Sequence, residues 1–194
     1  MATVYIHIAP RGTELNDRVT GEPTDERSAV GHMWYELDDG QGNRSSYGFA
    51  PIKDGDAHGP GMVYTNDSTH YSRTAYTRGI EITQEQYNKM NEFGKNPSSG
   101  GFDTTTYGGL VNSCIDFTWK ALEVGGLNPK GFEGYIYPTW NIYKVGEIPE
   151  LTIPKPTDEP TKDYPQPHEC TPWDMDGDGI PDAIDKDPLT PYLD

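Results

Sequence analysis

One stretch of the chain decides its fold: Tyr107-Gly-Gly-Leu-Val-Asn-Ser-Cys-Ile-Asp-Phe-Thr-Trp-Lys-Ala-Leu-Glu-Val-Gly-Gly126. It predicts an amphipathic α-helix, because apolar residues recur at helical spacing between N-cap candidates and a glycine stop. These signals are the stripe Ile115, Trp119 and Leu122, the caps Asn112 and Ser113, and the stop Gly125-Gly126. The predicted helix therefore begins at Cys114.

A cysteine at the start of a helix is well placed to act as a nucleophile. The unpaired N–H groups of the first turn and the positive end of the helix dipole favour the thiolate over the thiol. The same N–H groups can stabilise the oxyanion that forms when sulfur attacks a carbonyl. The alternative is that Cys114 is a small buried core residue, as most free cysteines are.

A candidate general base lies in the segment Gly31–Pro51, which predicts a β-hairpin. Residues 32–37 are rich in β-formers, Asp39-Gly40 supplies turn chemistry, and residues 45–49 return. His32 starts the first strand, a rigid position from which an imidazole can take the thiol proton and protonate a leaving group.

His32 is selected by elimination among five histidines. The others lie in an amino-terminal strand candidate (His7), in loops (His58, His70) and in a proline-rich tail (His168). Since no spacing rule links His32 to Cys114, the alternative is a half-buried strand histidine without a partner.

Three short motifs occur together: Gly31-His32 opens the hairpin, Tyr47-Gly-Phe49 closes it, and Asn112-Ser-Cys114 starts the helix. The combination resembles the papain-like cysteine hydrolases of the NlpC type. The order is circularly permuted, because the histidine strand here precedes the cysteine helix. The resemblance covers residues 1–146. It implies an α+β papain-like fold, with an antiparallel sheet packed against the cysteine helix and with Cys114 and His32 as the catalytic pair.

Chains of this appearance are similar to antibacterial amidase effectors, toxins delivered by type VI secretion that cut peptide bonds in peptidoglycan. The resemblance thus implies a peptidoglycan peptide substrate, an immunity protein, a secretion-apparatus component, and action in the periplasm of a target bacterium. The permuted order is shared by a lipid-acting branch that resembles lecithin:retinol acyltransferase, which makes a phospholipase or acyltransferase the second hypothesis. That branch usually carries Asn-Cys directly, whereas here Ser113 lies between. The third hypothesis is a non-catalytic, calcium-dependent binding module.

The third catalytic position is less determined by the sequence. Such families place a polar residue on a neighbouring strand to orient the imidazole, and Ser46 on the return strand is the candidate. Glu36 shares a strand face with His32, but it lies two pleats away, at about 13 Å. Asp116 in the first turn of the cysteine helix is expected to complement the helix dipole.

The composition of the chain limits its fold class, its relation to membranes and its partners. A chain of 194 residues with 33% hydrophobic content predicts one core plus an appendage. No apolar run reaches membrane-spanning length, and the start Met1-Ala-Thr-Val-Tyr-Ile-His-Ile8 predicts a first strand rather than a signal peptide. Secretion would therefore use a route without a cleaved signal. The net charge of −16 argues against nucleic acid and anionic membranes as partners.

The acidity belongs mostly to the carboxyl-terminal part of the chain. Residues 147–194 hold 13 acidic against 3 basic residues, a net charge of −10, which leaves −6 for the rest. Residues 147–172 are proline-rich and predict an extended linker. Two cysteines do not indicate a disulfide scaffold, and Cys170 in this linker is expected to be a spare thiol or to pair between chains.

The terminal segment, residues 173–194, carries a calcium-binding loop pattern. Its ligand positions 1, 3, 5, 7, 9 and 12 fall on Asp174, Asp176, Asp178, Ile180 (through its backbone carbonyl), Asp182 and Asp185. So many carboxylates repel one another unless a hard cation neutralises them, which favours structural calcium over a solvated acidic tail. Prolines on both sides leave no room for long flanking helices, so the loop resembles the lone loops of thrombospondin type 3 repeats.

The remaining segments predict further elements. Residues 60–66 and 75–82 are strand candidates, and Thr83-Gln-Glu-Gln86 is a capping box that starts a helix ending near Gly94. Residues 95–109 predict a flexible loop that leads to the cysteine, and residues 135–138 and 140–145 predict closing strands.

Overall fold

The computed structural model of the chain describes residues 1–53, 56, 58–108 and 111–150. Its strands are β1 (Ala2–Ala9), β2 (Glu14–Asn16), β3 (Pro23–Arg27), β4 (His32–Asp38), β5 (Arg44–Pro51), β6 (His58–Gly59), β7 (Gly61–Tyr64), β8 (Tyr76–Ile82) and β9 (Tyr107–Gly108). Its α-helices are α1 (Asp67–His70), α2 (Gln84–Lys95), α3 (Cys114–Val124) and α4 (Ile142–Gly146). Two 3-10 turns, Pro97–Gly100 and Pro138–Asn141, complete the set. The predicted α+β class is confirmed.

The centre of the fold is a five-stranded antiparallel sheet in the order β7-β5-β4-β1-β8. The predicted hairpin forms β4 and β5, whose register pairs Tyr35 with Tyr47 and Glu36 with Ser46. The amino-terminal segment forms the strand β1, as predicted, and β1 lies between β4 and β8. Alternate residues of β4 face opposite sides of the sheet, and both sides are covered, since six of its seven residues are buried.

Helices α2 and α3 cover one side of the sheet. The ring of Tyr35 lies 5.9 Å from that of Phe117 on α3, and its hydroxyl donates to the carbonyl of Met90 on α2 at 3.0 Å. Both helices begin at capping boxes. Thr83 caps α2 as predicted, and Ser113 caps α3 together with Asp116, which accepts from the Ser113 amide at 2.7 Å.

On the other side of the sheet lies α1, with the β2–β3 hairpin packed beside it, and the sequence predicted neither element. The Ser68 hydroxyl of α1 accepts from the indole of Trp34 at 3.1 Å and donates to Glu36 at 2.8 Å. The hairpin is fastened to α1 by Asn16, whose amide donates to the Thr69 carbonyl at 2.7 Å. The first turn of α1 is thereby held against β4.

The prediction of closing strands at residues 135–138 and 140–145 is wrong. Pro138 instead starts a 3-10 turn that continues into α4. The cause is Asn141, a fully buried residue whose side-chain amide donates to the carbonyls of Tyr135 and Tyr137 at 3.1 and 2.8 Å. The backbone groups that a strand would pair with a neighbour are therefore satisfied locally.

The segment before the cysteine is more structured than the predicted flexible loop. It contains a 3-10 turn at Pro97–Gly100 and the short strand β9, which pairs with β6. Phe102 and Tyr107 are buried in the core, where both contact Phe49. The segment thus forms part of the wall around Cys114.

Several sequence predictions fall outside the described residues. They are the linker at 151–172 with Cys170, and the calcium ligands Asp174, Asp176, Asp178, Ile180, Asp182 and Asp185. Within the ranges that the structure describes, no helix has the length and apolar character needed to cross a bilayer.

Candidate active site

Cys114 is the first residue of α3 and is 3% exposed. Its position relative to the sheet is fixed by Thr118, one turn further along the helix. The Thr118 hydroxyl lies 2.9 Å from the Cys114 carbonyl and 3.2 Å from the carbonyl of Met33. Because Met33 follows His32 directly, this contact brings the start of α3 to the start of β4.

His32 is buried, at 3% exposure, and its imidazole has polar partners on both sides. Its Nε2 lies 2.9 Å from Oδ2 of Asp67, and its side chain also interacts with the side chain of Cys114. Since Asp67 takes Nε2, Nδ1 is the ring nitrogen available to the thiol. The structure therefore brings together the two residues that the sequence selected, Cys114 and His32.

Asp67, the partner of His32, was not found by the sequence reasoning. It is the first residue of α1 and is fully buried. Its second oxygen, Oδ1, accepts from Nη1 of Arg18 at 2.8 Å. The carboxylate can approach the imidazole because β5 carries glycine at position 48: a Cβ there would lie 1.8 Å from Oδ2 of Asp67 and 2.9 Å from Nε2 of His32.

The expectation that Ser46 orients the imidazole is corrected by these contacts. Ser46 pairs with Glu36 across the hairpin, four residues along β4 from His32. Its hydroxyl lies 3.5 Å from that of Ser68, and the contacts of His32 are made by Asp67 instead. The physical reason is that the orienting group comes from a helix laid over the sheet, not from the neighbouring strand.

Aromatic rings enclose the imidazole and the thiol. The ring of Tyr71 stacks on that of His32 with centroids 4.7 Å apart and an interplanar angle of 8°, and the indole of Trp34 lies 5.7 Å away. The hydroxyl of Tyr107 interacts with the side chain of Cys114. Burial, followed by the charge of Cys114, raises the pKa of Tyr107, so this hydroxyl stays protonated and can donate near the sulfur.

The charges of the site support one another. Burial lowers the pKa of His32, but the charges of Asp67 and Cys114 and their hydrogen bonds outweigh it and raise the pKa to about 9. Burial raises the pKa of Asp67, but His32 and then Arg18 outweigh it, so that pKa is lowered. At neutral pH the site therefore holds an imidazolium and a carboxylate in contact.

His7 on β1 shows the opposite behaviour. It is half-buried beside Trp34, with ring centroids 5.0 Å apart, and its Nδ1 lies 3.0 Å from the Thr77 hydroxyl. Its Nε2 is buried without a hydrogen-bond partner. Burial lowers the pKa of His7 to about 4, against a smaller raising effect of Glu36. His7 is thus neutral where His32 is charged.

From the pKa shifts of these two histidines we expect the free energy of unfolding to be largest near pH 6.5. The pKa of His32 is raised to about 9, so its contribution is complete below 6.5 and is lost as the pH rises through 9. The pKa of His7 is lowered to about 4, so its contribution is present above 6.5 and is lost as the pH falls through 4. Each contribution is on the order of 3 kcal/mol.

Denaturant unfolding at several pH values checks this prediction. The His32→Gln variant should lose the decline above pH 6.5 but keep the acid decline, and His7→Gln should show the reverse. An alkaline decline of unchanged size in His32→Gln would contradict the assignment of the raised pKa to His32.

The described residues offer no alternative reactive centre. His58 lies in β6, and His70 lies in α1 with Nδ1 2.5 Å from the Asn16 carbonyl. Among residues 1–53, 56, 58–108 and 111–150, no group of three or more His, Cys, Asp or Glu side chains is placed to hold a metal ion.

Comparison with known proteins adds no assignment. No protein-family model matches the chain, and neither a curated protein nor a solved structure shows significant similarity to it.

Proposed function

We propose that this chain is a cysteine hydrolase in which Cys114 is the nucleophile, His32 the general base and acid, and Asp67 the group that orients the imidazole. One observation carries the proposal: a thiol at a helix start, an imidazole and a buried carboxylate lie in series, with the imidazole hydrogen-bonded to the carboxylate and interacting with the thiol. Nucleophile, base and orienting group within hydrogen-bond reach are the usual signature of covalent catalysis by cysteine.

The reaction proceeds in two acyl-transfer steps. The Cys114 thiolate attacks the substrate carbonyl carbon, and the resulting oxyanion forms at the start of α3, where the positive end of the helix dipole stabilises it. The imidazolium of His32 gives its proton to the leaving amine as the C–N bond breaks, which leaves a thioester. A water molecule then gives a proton to the neutral imidazole of His32 and attacks the thioester, the C–S bond breaks, and the acid leaves with the thiolate and the imidazolium restored.

The fold that we propose is the papain-like type in circularly permuted order. It is supported by the chain order, with the histidine strand β4 before the cysteine helix α3, and by the packing of α3 on an antiparallel sheet. It is also supported by the position of His32 at the first residue of its strand, next to the start of the helix.

For the substrate we propose the peptide part of bacterial peptidoglycan, and for the biological role a secreted antibacterial effector. Its partners would be an immunity protein and a secretion-apparatus component, and its place of action the periplasm of a target bacterium. The support is the resemblance carried by Gly31-His32, Tyr47-Gly-Phe49 and Asn112-Ser-Cys114.

Mass spectrometry of purified peptidoglycan after incubation tests this proposal. New amino or carboxyl termini in the stem peptides, present with the wild type and absent with Cys114→Ala, are expected. Fatty acid released from phospholipid vesicles, with intact peptidoglycan, would instead favour the lipid-acting branch. No product from either substrate, together with failure of thiol reagents to label Cys114, would favour a binding module.

We further propose that the tail binds calcium in a structural role. Calorimetric titration of the full chain should show calcium binding that Asp176→Ala weakens strongly, because that change removes one oxygen ligand from the loop. Calcium should raise protease resistance of the tail by mass action, and chelation should leave most hydrolysis intact. Loss of hydrolysis on chelation in a protein that stays folded would contradict the structural role.

A further inference from the structure

Arg18 is the cation behind the catalytic carboxylate. It lies in the turn between β2 and β3, and its side chain is 13% exposed although it carries a charge. Its Nη1 donates to Oδ1 of Asp67 at 2.8 Å and to Oδ1 of Asn66 at 3.0 Å. Its guanidinium lies 3.8 Å from the ring centroid of Tyr64. A long cationic side chain is held on three sides, which is unusual for a surface arginine.

The backbone of Arg18 is fixed as well as its side chain. The side-chain amide nitrogen of Asn66 donates to the Arg18 backbone carbonyl at 2.6 Å, while the side-chain oxygen of Asn66 accepts from the Arg18 guanidinium. This reciprocal pair ties the β2–β3 turn to the residue that precedes Asp67. The position of the guanidinium is thereby coupled to the position of the carboxylate.

The charges explain why such a cation is needed. Asp67 is fully buried, and a buried carboxylate with an unsatisfied oxygen loses several kcal/mol of solvation. His32 satisfies Oδ2, and Arg18 satisfies Oδ1. The charges of Arg18, Asp67 and His32 therefore alternate in sign along the series. Without Arg18, the carboxylate would turn or take up a proton, and the hydrogen bond that orients His32 would weaken.

We propose that Arg18 is a positioning residue of this active site, which keeps the Asp67 carboxylate ionised and aimed at the imidazole of His32. The inference rests on the proposed function, since it assigns Arg18 to the same site. The titratable groups that face Asp67 and His32 from the packed elements are Arg18, Cys114, Tyr71 and Tyr107. Among them, Arg18 is the cation that contacts Oδ1 of Asp67, the carboxylate oxygen that His32 does not contact.

The titration of His32 separates positioning from a background charge effect. If Arg18 only added positive charge near His32, its removal would raise the titration midpoint of the imidazole. If Arg18 positions Asp67, its removal weakens the contact that holds the imidazolium, and the midpoint falls from about 9 toward 6.5. The two roles therefore predict shifts of opposite sign.

The experiment follows the imidazole resonance of His32 by NMR in the full chain, with His32→Gln used for assignment. The titration midpoint of His32 should fall in Arg18→Gln. It should fall less in Arg18→Lys, because lysine keeps one charged donor. Asn66→Ala keeps the charge of Arg18 but removes the Asn66 contact that holds the guanidinium, so the His32 midpoint should fall by a smaller amount. This variant provides the test if Arg18→Gln does not fold. The matched control is Arg27→Gln, which removes an exposed pair with Glu14 on the same hairpin and should change nothing.

Activity is measured on the same variants. With peptidoglycan as the substrate, kcat should fall about 10- to 100-fold in Arg18→Gln with little change in KM, because the reacting groups are misaligned. An unchanged or raised midpoint in Arg18→Gln and in Asn66→Ala would overturn the inference, whatever the activity. A fall in the midpoint in a protein without any hydrolysis would keep the role of Arg18 and would overturn the proposed function instead.

Discussion

The Cys114→Ala variant is expected to lose hydrolysis by roughly 10³-fold or more, because the change removes the atom that carries the acyl group. Chromatography of soluble peptidoglycan fragments measures the loss. The fold should remain, since Cys114 contributes one small buried side chain at a helix start. The matched control is Cys170→Ser, which changes the other cysteine of the chain and should keep wild-type activity.

The base should be as necessary as the nucleophile. His32→Ala is expected to cost a similar factor, and the double variant should be no worse than either single one, because the two residues act as a unit. Turnover within about tenfold of the wild type in either single variant would contradict the assignment.

The second large effect is expected from a residue that touches no substrate. In Gly48→Ala, the new Cβ would lie 1.8 Å from Oδ2 of Asp67, so the carboxylate must move away from His32. We expect hydrolysis to fall on the order of 100-fold and stability to fall by about 1–3 kcal/mol, since a displaced catalytic group and an overpacked core both result. Fragment release and denaturant unfolding measure the two losses.

A glycine with free space beside it supplies the control for this prediction. At Gly146, an added Cβ would meet only the Tyr76 hydroxyl, at 3.8 Å, so Gly146→Ala should change neither activity nor stability by much. Wild-type activity in Gly48→Ala would show that the contact between Asp67 and His32 is not needed for the reaction.

The parts of the site that the sequence predicted are those coded by local patterns. The start of α3 follows from Ser113, Cys114 and Asp116, because a capping box is a contact between residues three apart. The β4–β5 hairpin follows from turn residues between two β-rich runs. These short-range interactions place the thiol and the imidazole each on its own element.

Asp67 could not be found in that way, since 35 residues separate it from His32 and the contact depends on how α1 lies over the sheet. One local signal did point to the site. Gly48 lies inside a predicted strand between the aromatic residues Tyr47 and Phe49, and a glycine inside a strand often marks the close approach of another group. Here the group is the carboxylate of Asp67.

The closing segment shows how one buried residue overrides local preference. Residues 135–145 are rich in aromatic and β-branched side chains, which favour a strand. The side-chain amide of Asn141 donates to the carbonyls of Tyr135 and Tyr137, and its Oδ1 accepts from the indole of Trp119 at 3.0 Å. The segment is therefore anchored to α3 as a turn and a short helix.

Whether Cys114 is an activated nucleophile is measured most directly by comparing the reactivity of the two thiols in one reduced sample. Iodoacetamide labelling of the full chain near neutral pH, read by peptide mass spectrometry, gives the rates for Cys114 and Cys170 separately. We predict that Cys114 reacts faster than Cys170 in the wild type, because the His32 imidazolium stabilises its thiolate, and that His32→Ala slows Cys114 about tenfold or more without affecting Cys170. A Cys114 that reacts more slowly than Cys170 in both proteins would be an inert core cysteine, and the assignment of this site as a catalytic centre would be wrong.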